Sequence, residues 1–493
     1  MSTVRVRIAP SPSGFLHIGT AKVALFNWLY ARQTGGAFIL RLEDTDADRS
    51  TEEFAEAMCE GFRWLGIDWD EGPEFAGQPE KGALGPYRQS LRKELHRREA
   101  HRLLEEGKAY RCFCTKEELD AAREEAMREK RPPRYAGTCR NLSAEQIAAM
   151  GDRPFSIRFR VEPGETVIDD LIQGPVKVDN KEFDDFIILR PNGEPIFHLA
   201  VVVDDGTMKI THVIRGDDHL TNAARHVMLF DALGYARPKF AHLPMVLDEH
   251  GKKYSKRLHG ANVLDWRDDG YLPETLVNYV ALLGWTPVEE GRELFTREEL
   301  VQAFDIDRLG KSAAKFDLKK LQWINGQHIR RLTPEELRDR VLPILHRAGL
   351  DTSGKTPEWL AHMAAACQEK IPTLNDIVAY TDFFFAEPSH YEEKAVKKQW
   401  DKPDAAERLE HISQTMASVE PWSAEAIKVA FEALAERTGN PLGHFVHPAR
   451  LALTGKSVGP GLFELTELLG RDAVVERLGR AIAFIQHGME TQS

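Results

Sequence analysis

The stretch RIAPSPSGFLHIGTAKVALFNWLYAR, residues 7–32, constrains the fold more than any other part of the chain. From Val4 to Ile8 apolar residues alternate with arginines, which is typical of a β-strand, and two prolines then end the strand. Apolar residues recur at helical spacing from about Ile18 to Arg32, and the segment AFILRLEDTD that follows predicts a second strand. Strand, helix and strand in this order predict a parallel sheet with a crossover helix.

Later segments predict how the remainder of the chain is organised. Residues 90–150 are rich in charge and contain three clustered cysteines, which favours an insertion rather than sheet. The runs FHLAVVVDD and ITHVIRGDD, between residues 197 and 218, predict two buried strands that each end in paired aspartates. A helix from about Thr221 is expected to end at Gly234, and the pattern beyond residue 320 is almost wholly helical.

Length and composition exclude several classes of protein. A chain of 493 residues is too long for one compact core, so we expect several domains. It contains no apolar run of roughly 18 residues and no signal peptide, which predicts a cytoplasmic protein that does not bind membranes. Five sparse cysteines argue against a disulfide framework. The net charge of −12 disfavours nonspecific binding to nucleic acid but leaves room for a local basic groove.

Two loops are candidates for a nucleotide site. Ligands of parallel sheets bind beyond the carboxyl ends of the strands, where a helix N-terminus offers free N–H groups. Neither a dinucleotide fingerprint nor a P-loop is present there; instead His17-Ile18-Gly19-Thr20 opens the helix. Taken alone, a histidine in a first helical turn is more often a helix cap or a surface residue than a catalytic residue. The second loop, DEHGKKYSKRLHG at 248–260, would by itself be a solvated basic turn.

The two loops together resemble the motifs of a known enzyme class. His17–Thr20 is similar to the HIGH motif, and Lys253–Arg257 to the KMSKS motif, of class I aminoacyl-tRNA synthetases. Arg7–Gly14, Arg41–Asp46 and three later blocks resemble bacterial glutamyl-tRNA synthetases in particular, and the resemblance extends over nearly the whole chain. The later blocks are residues 269–285, 316–329 and 448–470.

The resemblance implies an α/β multidomain fold, in which a Rossmann-type class I catalytic core is split by an inserted acceptor-binding subdomain and followed by an all-α anticodon-binding region. It implies five segments: 1–90 as the first half of the core, 91–195 as the acceptor-stem-binding insertion with a zinc site, 196–260 as the second half with the KMSKS-like loop, 261–330 as a stem-contact region and 331–493 as the helical anticodon-binding region.

The reaction implied is the ligation of glutamate to tRNA in two steps. L-Glutamate attacks ATP to give glutamyl-adenylate, and the 3′-terminal adenosine of tRNA(Glu) then takes the glutamyl group. Fixed donors placed where charge develops suit both steps. We expect His17 and Lys256 to be catalytic, Gly19, Lys253 and Lys256 to bind ATP, and Mg²⁺ to share the charge of the phosphates.

The resemblance also implies an amino-acid pocket. Arg7 and Arg215 are expected to bind carboxylate, because a guanidinium offers paired donors in a planar fork. Glu43 would take the ammonium group and Ser11 would donate or accept a further hydrogen bond. The alternative for Glu43 is an ordinary ion pair with Arg41 at the end of a strand. Phe197 stands where most relatives carry tyrosine, so one hydroxyl group of the pocket is missing.

A metal site is the remaining expectation. Cys112, Cys114, Tyr135 and Cys139 follow the pattern C-x-C-x20-Y-x3-C, and three thiolates with one phenolate would satisfy tetrahedral zinc. The family contains members with this pattern and members without it. We expect the ion to be structural, because its ligands come from two segments about twenty residues apart.

Three alternatives bear on the activity. A glutaminyl-tRNA synthetase would carry a β-barrel anticodon region, and an inactive tRNA-binding paralogue would be expected to have lost His17 or Lys256. Whether tRNA(Gln) is charged as well as tRNA(Glu) is left open. Discriminating relatives tend to have arginine where Lys370 falls, and lysine cannot make the bidentate contact. The expected oligomeric state is a monomer.

Overall fold

The computed structural model describes residues 3–46, 49–254 and 262–490. The chain divides into two compact units. The first comprises Met1–Trp266 and Leu276–Asp317, and the second comprises Arg267–Thr275 and Leu318–Ser493. In the described part of the chain, no helix combines the length and the apolar character that a membrane crossing needs.

The strands are β1 (Arg5–Ile8), β2 (Ala37–Leu40), β3 (Ala109–Cys112), β4 (Ser156–Phe159), β5 (Glu165–Ile168), β6 (Val176–Asp179), β7 (Phe186–Leu189), β8 (His212–Gly216), β9 (Lys239–Leu243), β10 (Val246–Leu247) and β11 (Ala314–Lys315). The helices up to residue 303 are α1 (Ile18–Thr34), α2 (Glu52–Leu65), α3 (Lys93–Glu105), α4 (Lys116–Arg128), α5 (Ala144–Ala149), α6 (Phe197–Thr207), α7 (Leu220–Leu233), α8 (Val263–Asp268), α9 (Pro273–Leu282) and α10 (Arg297–Ala303); they belong to the first unit, except that α8 ends and α9 begins in the second. The later helices are α11 (Leu318–Arg331), α12 (Pro334–Arg347), α13 (Pro357–Cys367), α14 (Ile377–Thr381), α15 (Glu393–Gln399), α16 (Ala405–Ala417), α17 (Ala424–Thr438), α18 (Gly443–Thr454), α19 (Leu462–Leu469) and α20 (Arg471–Glu490).

The N-terminal strand, helix and strand have the predicted arrangement. β1 and β2 pair in parallel, from Arg5 opposite Ala37 to Ile8 opposite Leu40. α1 crosses between them and ends at Gly35, whose φ of 62° is the left-handed conformation that glycine adopts without strain. β8 lies beside β1, where Thr211 N donates to Arg5 O at 2.9 Å, and β8 pairs in parallel with β9. These strands form the layer that carries the site.

Residues 91–195 contain more sheet than the sequence indicated. β3, β4 and β7 form a three-stranded antiparallel sheet, and β5 pairs with β6 in a hairpin. The expectation that residues 90–150 avoid sheet is therefore wrong at Ala109–Cys112. Tertiary pairing explains why this segment is a strand. Charged residues flank the four-residue strand, but its partner β4 is buried along its whole length.

The first of the two apolar runs is a helix and not a strand. FHLAVVVDD forms most of α6, which packs against α3 and α7. Every residue from Leu199 to Asp205 is buried, so the run has no polar face and its periodicity does not separate a buried helix from a buried strand. The second run is β8, as predicted. α7 also ends as predicted, with Gly234 left-handed at φ 70°.

Every described element from Leu318 to the end is helical, which confirms the prediction for that part of the chain. The core of the second unit is one apolar cluster, to which α12, α13 and α16–α20 all contribute. One of its helices, α12, begins with a reciprocal capping box between Thr333 and Glu336, with Pro334 as its first residue.

Candidate active site

A cavity of about 1070 Å³ opens beyond the carboxyl ends of β1, β8 and β9, the position where parallel sheets bind ligands. Nearly all the predicted ATP and glutamate residues lie on its wall. Those that line it are Arg7, Ser11, His17, Gly19, Glu43, Phe197, Arg215 and Lys253. Lys256 lies outside the described residues, so its assignment stays a prediction.

His17 is the N-cap of α1, so the structural role expected for a histidine at this position is confirmed. Its Nδ1 accepts from Thr20 N at 3.2 Å, which leaves the proton of the neutral ring on Nε2, 3.0 Å from Thr20 Oγ1. Gly19 packs under the ring: an added Cβ would lie 3.2 Å from two ring atoms. The cap therefore fixes the imidazole at the wall of the cavity, beside the N-terminus of a helix.

Lys253 connects the basic loop to the end of β8. Its Nζ lies 3.0 Å from Asp218 Oδ2, and both residues line the cavity. Burial would raise the pKa of Asp218, but the hydrogen bond from Lys253, together with the charges of His219 and Lys253, outweighs burial and holds that pKa below its usual value. Each partner is about half exposed, so the pair is easily opened by a competing anion.

Arg7 and Arg41 share one buried carboxylate, that of Asp205. Arg7 donates from Nε to Oδ1 at 3.1 Å and from Nη2 to Oδ2 at 3.1 Å, and Arg41 Nη1 donates to Oδ1 at 2.7 Å. Burial alone would raise the pKa of Asp205, yet the two guanidinium groups hold it below its usual range. The charge of Arg7 is thus already countered inside the protein.

Arg215 is the opposite case. It is 6% exposed, and its hydrogen bonds go to His242 Nε2 at 3.2 Å, His226 Nδ1 at 3.1 Å and His219 O at 3.2 Å. None of these groups carries a negative charge, and Arg215 forms no ion pair with any described residue. Burial, followed by the charge of Arg7, lowers the pKa of Arg215 to about 9. The pocket wall therefore carries a buried cation that forms no ion pair with a described residue.

Glu43, Ser11 and Phe197 complete the predicted pocket. Glu43 Oε1 lies 3.3 Å from Arg41 Nη2, so the strand-end ion pair exists, and the carboxylate also lines the cavity. Burial raises the pKa of Glu43 despite Arg41 and Arg7. Ser11 is exposed on the loop after β1, and Phe197, 37% exposed, begins α6 with its ring 6.0 Å from that of His219.

Sequence reasoning missed Asp205, His226 and His242. The paired aspartates of FHLAVVVDD were a signal for Asp205, but they were assigned to the end of a strand. The two histidines have no local pattern, since they are separated from Arg215 by 11 and 27 residues and meet it only in the folded chain.

The three clustered cysteines and Tyr135 also meet. The sulfurs of Cys112, Cys114 and Cys139 lie within 4.8 Å of one another, and those of Cys114 and Cys139 are 3.7 Å apart. The Tyr135 hydroxyl lies 3.5 Å from Cys112 Sγ and 3.9 Å from Cys114 Sγ. Sulfurs bound to one tetrahedral zinc at about 2.3 Å are about 3.8 Å apart, so the separation of Cys114 and Cys139 matches that geometry.

Comparison with known families defines the class of protein. Residues 3–323 match the family of class I tRNA synthetase catalytic domains for glutamate and glutamine, and residues 336–482 match an anticodon-binding domain. The fold, the HIGH-like helix cap and the cavity at the strand ends are those of a class I aminoacyl-tRNA synthetase.

Individual relatives narrow the assignment. Glutamate–tRNA ligases of Moorella thermoacetica and Symbiobacterium thermophilum are each 44% identical, covering 99% and 97% of this chain and 100% and 99% of their own length. A crystal structure of a glutamate tRNA ligase from Elizabethkingia meningosepticum, in complex with its amino acid, matches with a TM-score of 0.89 at 33% identity, over 98% of this chain and 99% of that one. The chain belongs to the glutamate–tRNA ligase family.

Proposed function

We propose that the cavity holds L-glutamate beside ATP, forms glutamyl-adenylate and pyrophosphate, and passes the glutamyl group to the 3′-terminal adenosine of tRNA(Glu). The observation that carries this proposal is Arg215, a buried cation on the cavity wall whose partners within the described chain are all neutral. A desolvated cation favours an anionic ligand strongly. Glutamate offers a side-chain carboxylate there, and glutamine does not.

On the ATP side, His17 and Lys256 are assigned as donors to the triphosphate, with Lys253 in support. Gly19 keeps the approach to the N-terminus of α1 open for the nucleotide. Mg²⁺, which class I synthetases generally require with ATP, would share the charge of the β and γ phosphates. These residues act by electrostatic stabilisation of developing charge, so no general base is required of the protein.

On the amino-acid side, Arg215 is assigned to the γ-carboxylate, because no described carboxylate forms an ion pair with it and its charge is in that sense uncompensated. Arg7 is assigned to the α-carboxylate, since Asp205 already counters much of its charge. Glu43 would receive the α-ammonium group, and its raised pKa fits a carboxylate waiting for a cation. Ser11 supplies a hydroxyl at the mouth of the pocket, and Phe197 supplies an apolar wall.

Zinc fits the cluster formed by Cys112, Cys114, Tyr135 and Cys139, and we assign these four residues as its ligands. The bound ion would join β3 to the segment around Cys139 as a structural staple. The Arg158 guanidinium lies 3.7 Å above the centroid of the Tyr135 ring, so it would offset part of the excess negative charge of three thiolates and a phenolate.

The tRNA specificity is proposed as tRNA(Glu) first, with tRNA(Gln) as the second candidate. Lys370 is exposed just after α13, where it offers a single charged donor. Charging assays with the two purified tRNAs distinguish the two proposals, and light scattering of the free chain tests the proposed monomer.

The central experiment is ATP–pyrophosphate exchange with glutamate, in the presence and absence of tRNA(Glu). Activation in this family generally awaits bound tRNA, so exchange should be negligible without it. Lys256→Ala should lose about 100- to 1000-fold in rate, which is typical for one lost donor to developing charge. Lys252→Ala, an exposed lysine in the same loop, is the matched control. Wild-type exchange by Lys256→Ala, or full exchange without tRNA, would contradict the proposal.

A further inference from the structure

The guanidinium of Arg215 is held by hydrogen bonds that leave its charge intact. A guanidinium has five N–H donors. Arg215 uses Nε toward His242, one N–H of Nη1 toward His226 and one N–H of Nη2 toward the backbone oxygen of His219. One N–H on each terminal nitrogen remains. Each terminal nitrogen therefore keeps a donor for a carboxylate, and Arg215 lines the cavity.

His242 accepts from Arg215 because a buried carboxylate fixes its tautomer. Its Nδ1 lies 2.5 Å from Asp170 Oδ2, and neither side chain is exposed. Asp170 Oδ1 accepts from the backbone N–H groups of Ile172 and Gln173, so its position is set by the loop after β5. The Nδ1 proton therefore points to Asp170, and Nε2 presents a lone pair to Arg215 Nε.

His226 is fixed in the complementary tautomer. Its Nδ1 lies 3.1 Å from Arg215 Nη1, which is always a donor, so the ring proton is on Nε2. That proton points to His198 Nδ1 at 3.1 Å. His226 is 1% exposed, and burial, followed by the charge of Arg215, lowers its pKa well below the usual value. The ring is therefore neutral at neutral pH.

Two arginines of one pocket are thus held in opposite ways. The Asp205 carboxylate fixes the position of Arg7 and at the same time counters its charge. We infer that His226 and His242 are specificity-determining positioning residues, neutral acceptors that orient Arg215 while leaving its full charge for the γ-carboxylate of glutamate. This inference deepens the proposed function and rests on it. A carboxylate in place of either ring would hold Arg215 equally well and would remove the preference for an anionic side chain.

The test compares two replacements of nearly equal shape. His226→Asn keeps an acceptor oxygen close to the position of Nδ1, and His226→Asp puts a charged oxygen there. We expect the aspartate variant to fall about 100-fold or more below the asparagine variant in kcat/KM for glutamate, with the KM for ATP changed less than about threefold. The preference for glutamate over glutamine should fall with it. His101→Asp, on the exposed face of α3, controls for added charge.

A second pair guards against misfolding of a single variant. Asp170→Asn combined with His242→Gln is compared with Asp170→Asn combined with His242→Glu, so that no second carboxylate lies beside the new one. The glutamate variant should again lose its preference for glutamate. Equal kinetics for glutamate within either folded pair overturns the inference. A wild-type chain that does not charge tRNA with glutamate would instead refute the proposed function, so the two failures are distinct.

Discussion

Replacing Asp205 with asparagine should destabilise the first unit more than the loss of any surface ion pair. The carboxylate is 1% exposed and lies between two guanidinium groups that are themselves 5% and 0% exposed. Asparagine preserves the shape and removes the charge. Two buried cations then remain without the anion that holds them together, beside a third cation at Arg215.

The magnitude follows from these contacts. A unit charge pair at about 4 Å is worth about 4 kcal/mol at the effective dielectric of partly buried sites, and Asp205 makes closer contacts with two cations. Much of this gain only repays the desolvation of the carboxylate. Breaking a buried pair by removing one partner typically costs about 3–5 kcal/mol, and that is the expected loss for Asp205→Asn.

Hydrogen exchange followed by mass spectrometry, on peptides that cover β1, measures this loss without assuming that the two units unfold together. Exchange there should accelerate by about a hundredfold to several thousandfold, which is the expected loss of 3–5 kcal/mol converted at 1.36 kcal/mol per factor of ten. Glu52→Gln, which breaks the half-exposed pair with Arg88, is the control and should cost about 0–1 kcal/mol. Exchange of β1 within about threefold of wild type would refute the reasoning.

The remaining predictions concern acid, zinc and backbone packing. The ionised Asp205 carboxylate stabilises the native state fully above about pH 4, the pKa of an aspartate in the unfolded chain, and this stabilisation is lost as pH falls through the lowered pKa of the native state. The stability of Asp205→Asn should therefore depend less steeply on pH in the acid range than that of wild type. An equal pH dependence of stability in the two proteins would contradict the assignment. Purified wild type should contain about one zinc per chain and Cys114→Ser much less, as measured by elemental analysis, with unchanged metal content rejecting the site. Gly36→Ala should lower the melting temperature, because the new Cβ would lie 2.4 Å from the Val4 carbonyl oxygen, whereas Gly479→Ala, in open space on α20, should leave it equal or raise it.

Local sequence patterns were sufficient to predict the strand, loop and helix that surround the site. Alternation at β1, the prolines after it and the helical spacing of α1 correctly predicted the loop that opens the cavity, and the HIGH-like motif located His17. These features depend on neighbours in sequence, so they can be read without the fold.

The contacts among the buried residues of the site could not be predicted in this way. Arg41 looked like a strand-end residue, yet it is fully buried and shares Asp205 with Arg7 across 164 and 198 residues of sequence. α6 was mistaken for a strand because a helix buried on all sides loses its amphipathic signal. The side-chain acceptors of Arg215 come from α7 and β9, so only the folded chain shows that this arginine, unlike Arg7, forms no ion pair with a described carboxylate.

The measurement that tests the central claim most directly is tRNA-dependent aminoacylation with glutamate and with glutamine, by wild type and by Arg215→Gln. Glutamine would place an amide donor against the donors of Arg215 and leave the buried charge unpaired. Wild type should therefore prefer glutamate by about a thousandfold or more in kcat/KM, and Arg215→Gln should lose most of that preference. If wild type uses glutamine within about tenfold of glutamate, or if Arg215→Gln keeps the full preference, the uncompensated charge of Arg215 does not select the substrate.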